Sequence, residues 1–121
     1  MEASSNNTEL NIKEWTEICS VHDLTPNGGT CAHYNDQQVA IFLCKRNNKV
    51  YAVDNFDPFG EANVLSRGLM GSTQEITYVA SPLLKQRFNL TTGECLDSEV
   101  HRLKTFDVRI INEQVQLKEA S

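Results

Sequence analysis

Two pairs of metal-capable side chains stand early in the chain, Cys19-x2-His22 and Cys31-x-His33. Thiolates and imidazoles at such spacing ligate zinc and iron–sulfur centres, and four of them would close a site. Cys44, Cys95 and His101 bring the inventory to four cysteines and three histidines. Placement argues against a shared site. Cys31 and His33 are two apart on an expected strand, so both point to one face. Cys19 ends a strand, and His22 falls in a short capped turn that faces solvent. Glycine and proline, which let a backbone wrap round a metal, follow only the first pair. The expectation is two half-buried cysteines and two surface histidines. Cys44 lies in an apolar strand and Cys95 at the start of another, both as packing residues, and His101 lies exposed in the polar stretch Ser98 to Lys104. A nucleophilic cysteine needs a histidine or a cationic setting, and none is legible around Cys44 or Cys95. G-x-S-x-G, P-loop, G-x-G-x-x-G and H-E-x-x-H patterns are absent.

The elements that must position these residues are short strands separated by turns. Glu14 to Cys19 alternates, with Trp15 inward and Ile18 or Cys19 as well. Ser20 and Asp23 fit a capping box on one turn of helix, which Pro26-Asn27-Gly28-Gly29 ends. Thr30 to Tyr34 is a strand, and Asn35-Asp36 turns tightly into Gln38 to Lys45. That strand is apolar on both faces from Val39 to Cys44, which places it inside a sheet. Asn47-Asn48 reads as a two-residue turn into Lys49 to Asp54. Asn55 to Thr73 is long for a connection, and such connections are usually functional. Glu75 to Ala80 returns to strand, and Gln86 to Leu90 with Glu94 to Leu96 forms a hairpin around Thr91-Thr92-Gly93. Thr105 to Ile111, with Phe106, Val108 and Ile110 on one face, and Val115 to Lys118 close the chain around Asn112-Glu113. About ten short strands with almost no helix mean an all-β sandwich or barrel.

Composition bounds the rest. The chain has 121 residues, 40% of them hydrophobic, and a net charge of −5. That suits one domain with its own core, here residues 13–121 behind a flexible N-terminal tail over 1–12. An acidic chain without a lysine-rich run lacks the footprint of sequence-independent nucleic-acid binding. No apolar run reaches membrane-spanning length, and Met1 to Asn11 lacks the pattern of a secretory leader. The expected location is cytoplasmic, with reduced cysteines. The sequons at Asn6 and Asn89 then carry no glycan.

Two segments carry a more specific pattern. Val53-Asp54-Asn55-Phe56-Asp57-Pro58-Phe59 runs on to Val64-Leu65-Ser66-Arg67-Gly68, and Ala80-Ser81-Pro82-Leu83-Leu84-Lys85-Gln86-Arg87-Phe88 runs on to Asn89-Leu90-Thr91-Thr92-Gly93. Together they resemble the two cluster-binding loops of Rieske [2Fe–2S] domains, Cys-Pro-His and Cys-Pro-x-His-Gly followed by a hairpin. Laid over this chain, the first motif falls on Asp57-Pro58-Phe59 and the second on Ser81-Pro82-Leu83-Leu84. Both prolines and the hairpin are kept, and all four ligand positions are replaced. A Rieske cluster needs two thiolates on one iron and two imidazoles on the other. Phe59 and Leu84 have no lone pair to donate, and Asp57 and Ser81 are poor ligands, so the resemblance implies the frame without the cluster. The two Cys/His pairs are not substitutes, because they precede both loops and stand in reverse order.

The wording DPFG-x3-VLSRG-L-x-G with VASPLLKQRF-x-L-x-TG-x-CL narrows the resemblance further. From Trp15 to Lys118 the chain resembles the small subunits of NAD(P)H-dependent assimilatory nitrite reductase. One departure is Leu84, where that family more often has an aromatic. The resemblance implies a Rieske-like β-sandwich without catalytic residues, metal or cofactor of its own. It also implies a large-subunit partner that carries FAD, an iron–sulfur cluster and sirohaem and reduces nitrite to ammonium. The two loop tips would then form a docking face, with Phe56 and Phe59 as apolar anchors and Arg67, Lys85 and Arg87 as a basic rim. Alternatively, Phe59 and Leu84 fill the space of the lost cluster, and the three cations are ordinary surface. An electron carrier with an unorthodox cluster, or a stand-alone β binding module, are the competing functional classes.

Overall fold

The computed structural model describes residues 15–120; the expected tail over 1–12 lies outside them. The strands are β1 (Thr16–Ser20), β2 (Gly28–Tyr34), β3 (Gln37–Cys44), β4 (Lys49–Asp54), β5 (Phe56–Asp57), β6 (Ala62–Asn63), β7 (Leu69–Thr73), β8 (Ile76–Ala80), β9 (Arg87–Asn89), β10 (Thr105–Ile111) and β11 (Gln114–Glu119). Short 3-10 turns at Val21–Asp23 and Leu65–Arg67 are the helical elements among the described residues. An antiparallel six-stranded sheet runs β1-β11-β10-β4-β3-β2, a three-stranded sheet runs β7-β8-β9, and β5 and β6 form a small ribbon. The fold is all-β, as the strand pattern requires. No helix among the described residues is long and apolar enough to cross a membrane.

The apolar run in β3 has a direct cause. Val39 and Ile41 face one core with Leu24, Tyr34, Ala52, Phe106, Val115 and Leu117. Nearly all of these belong to the six-stranded sheet, which buries its own face by curling on itself. Ala40 and Phe42, on the opposite face, pack with Val53, Leu65, Val79, Phe88, Leu90 and Leu103 in a second core, shared with the three-stranded sheet. One strand therefore serves two cores, and neither face can be polar.

Local chemistry sets several ends as expected. Ser20 caps the first 3-10 turn: its Oγ accepts from His22 N–H, and Asp23 Oδ2 accepts from Ser20 N–H. Asn35-Asp36 and Asn112-Glu113 are two-residue turns with both residues at positive φ, the form that matches strand twist.

Other expectations are corrected. The segment read as one long connection holds β5, β6, a 3-10 turn and β7, and Leu69–Thr73 pairs with β8. Gln74 and Glu75 form a third positive-φ turn, so β8 begins at Ile76 rather than Glu75. Cys44 pairs with Lys49, which makes 45–48 a four-residue loop with only Asn48 left-handed; Asn47 instead accepts Lys49 N–H on its side chain. Glu94 to Leu96 makes isolated bridges to Phe88 and Arg102 instead of a strand. Trp15 joins neither core: the Arg109 and Lys118 cations lie 4.4 and 5.0 Å from its ring. A bulge between Glu17 and Cys19 breaks the alternation and lets Ile18 and Cys19 both reach the first core. On β10, Phe106 is buried and Val108 packs against the core, but Ile110 is 41% exposed: β10 pairs with β4 only at Thr105 and Phe106, so Ile110 lies on an open edge although its β11 partner Val115 is buried.

Candidate functional site

The four early metal-capable residues are dispersed. Cys19 packs against the first core, and burial, followed by the nearby Asp23 carboxylate, pushes its thiol above the ordinary value. His22 faces solvent and meets Glu113 at 3.1 Å. Cys31 is exposed rather than half-buried, with its Sγ near Gln38 Oε1 and the Asn55 amide; the strand pleat turns it to the side opposite Ala32. His33 shares that exposed face. Cys44 is buried, and Cys95 is half-buried against the second core. Among the described residues, no group of three or more His, Cys, Asp or Glu side chains could hold a metal ion.

The two loops do meet. The first is the tip of the β5–β6 ribbon, and the second runs from Ser81 at the end of β8 to Gln86 before β9. Alternation in β5 exposes Phe56 and buries Asp57 completely. Asp57 Oδ1 accepts from Phe59 N–H at 2.8 Å and from Gly60 N–H at 3.2 Å, which folds the tip over the carboxylate. Its other oxygen accepts the hydroxyl proton of Ser81, itself 1% exposed. Ser81 Oγ in turn accepts from Leu83 N–H at 3.2 Å, and Ser81 carbonyl accepts from Lys85 N–H at 3.1 Å. The second tip closes with Lys85 at a φ of 66°. Gly60 lies beneath Leu83, whose Cδ1 would stand 2.5 Å from a Cβ built there, so a side chain at 60 would push the Leu83 side chain aside.

This donor set does not fit an iron–sulfur cluster. Of the four positions that the resemblance sets against Rieske ligands, Phe59 and Leu84 offer no lone pair. The side-chain oxygens of Asp57 and Ser81 are committed to each other and to backbone amides. Phe59 packs against the second core, with its ring centroid 6.0 Å from that of Phe88 and edge-on to His101 at 4.8 Å. Leu84 differs: it is 55% exposed and fills no space.

The residues expected at the tip occupy distinct settings. Phe56 is 40% exposed, and Arg67 and Lys85 face solvent. Arg87 is engaged: its guanidinium meets both oxygens of Asp97 at 3.2 and 2.8 Å and lies over the Tyr78 ring. That side-chain bond, followed by one from the Arg87 backbone amide, holds Asp97 below the usual aspartate range. Three contributors escaped the sequence. Leu83 is an exposed apolar residue at the same tip. His101 joins from a third loop through Phe59. The Asp57–Ser81 bond had a usable signal, since two positions that would share one iron must stand side by side.

The family described as "Rieske-like [2Fe-2S] domain" matches residues 14–118. The nitrite reductase (NADH) small subunit of Escherichia coli is 43% identical over 107 residues, covering 88% of this chain and 99% of the relative. The solved structure of the E. coli protein NirD is 43% identical with a TM-score of 0.80, covering 90% of this chain and 99% of that one. A Klebsiella oxytoca protein named nitrite reductase [NAD(P)H] large subunit is 34% identical over 113 residues, which are 93% of this chain but 12% of that protein.

Proposed function

Since the chain belongs to the Rieske-like domain family and, within it, to the nitrite reductase small subunits, we propose that it is the non-catalytic accessory subunit of a cytoplasmic NAD(P)H-dependent nitrite reductase. The partner is the large subunit, which binds FAD, an iron–sulfur cluster and sirohaem and reduces nitrite to ammonium. This chain contributes binding surface and no reacting group. The observation that carries the reading is the committed donor set at the loop tips: Asp57 and Ser81 are bonded to each other, and Phe59, the residue the resemblance sets against a Rieske histidine, is packed on Phe88. A frame kept without its redox centre retains value as a shape. The Klebsiella relative, whose large subunit includes a segment similar to nearly the whole of this chain, supports a working contact between the two kinds of chain.

The tip is the proposed docking face. Phe56, Leu83 and Leu84 are its exposed apolar residues, with Arg67 and Lys85 as solvent-facing cations and Arg87 as the one paired with Asp97. Apolar anchors with a charged rim are the usual anatomy of such contacts. Tagged wild-type chain should capture the large subunit from an extract in which both are expressed. The Arg67→Glu/Lys85→Glu variant should capture it at least about tenfold more weakly, with the loss growing at low salt, because rim charges act mainly through steering and repulsion. Equal capture by the variant would remove the face from the tip, and no capture by the wild type would overturn the accessory role.

A further inference from the structure

The two loop tips are joined in an unusual way for segments that share no strand pairing. Among the described residues, a single side-chain hydrogen bond crosses from one to the other, Ser81 Oγ–H to Asp57 Oδ2. Both residues are shut away from water, and each also organises its own loop. Asp57 gathers the amides of Phe59 and Gly60 on its side chain and that of Glu61 on its carbonyl. Ser81 gathers Leu83 on its hydroxyl and Lys85 on its carbonyl. The two centres of local order are therefore wired directly together, and beside them Leu83 lies over Gly60.

We propose that the Asp57–Ser81 hydrogen bond is a latch that makes the two tips one rigid body and positions Leu83 and Leu84 for the large subunit. The second part rests on the accessory-subunit reading; the first does not. Hydrogen bonds to a carboxylate are the strong kind, and losing one partner leaves the other buried without a mate. Removing the latch therefore loosens both loops, including the one that was not altered. That reciprocal effect separates a latch from two residues that each merely shape their own turn.

Amide hydrogen exchange on the full chain reads this directly. Ser81→Ala should speed exchange at Phe59, Gly60 and Glu61, on the other loop, by about tenfold or more, while Ile41 and Val53 in the sheet stay unchanged. Asp57→Ala should do the same to Leu83 and Lys85. Faster exchange confined to the altered residue's own loop overturns the latch. Where the alanine variants do not fold, Ser81→Cys keeps a weaker donor and should show the same cross-loop effect at smaller amplitude. With wild-type chain capturing the large subunit, Ser81→Ala should capture it about tenfold more weakly, and equal capture overturns the positioning role. Failure of the wild type to capture any large subunit overturns the accessory reading instead and leaves the exchange result to decide the latch.

Discussion

Asp97 and Arg87 illustrate how much a single side chain's setting differs from its sequence context. Arg87 stands two residues from Lys85 and is expected in a basic rim, yet its guanidinium is held by both oxygens of Asp97, 10 residues away. Because this bond keeps Asp97 below its ordinary value when folded, the unfolded chain takes up its proton first as the solution is acidified. The contribution is thus present above the unfolded aspartate value, about pH 4, and is lost as pH falls through the lower folded value. Asp97→Asn should flatten the acid limb of the stability curve, with a smaller difference between urea midpoints at pH 7 and pH 3 than in the wild type. Gly93 shows the opposite dependence, being legible at once. It stands at φ +84° with Leu103 carbonyl 2.1 Å from where a Cβ would lie, and the Thr-Thr-Gly turn announced it.

At the scale of elements, legibility followed how many constraints each strand carries in its own residues. β3 declared itself because both faces are buried, and the turns at Asn35-Asp36 and Asn112-Glu113 because asparagine tolerates positive φ. β7 was hidden. As an edge strand it buries little and shows no alternation, and its turn is made by Gln74 and Glu75, which carry no turn signal. Those two residues hold φ values of 49° and 69°, a conformation that costs a non-glycine residue about 1 kcal/mol. Glu75→Gly should therefore raise stability by about 1 kcal/mol in urea unfolding, with the Thr73–Ile76 pairing retained.

For the whole molecule, the two cores lie back to back on β3, and the second holds the tip through Phe59 while the Asp57–Ser81 bond closes the loops. A chelator should leave the thermal midpoint of the purified chain unchanged, and the chain should carry neither stoichiometric iron nor acid-labile sulfide; iron-dependent stability would contradict the donor set at Asp57, Phe59, Ser81 and Leu84. The sequence by itself determined the strand content, the central strand and three of the turns, since each of these is written in neighbouring residues or in a fixed spacing. The resemblance sets Asp57 and Ser81 side by side, but only tertiary structure decided that their side chains bond to each other, across 24 residues. It also set His101 against Phe59, turned Leu84 outward and moved Trp15 between two cations. These are contacts between distant segments, and only closure of the sheets around two cores brings their atoms within reach.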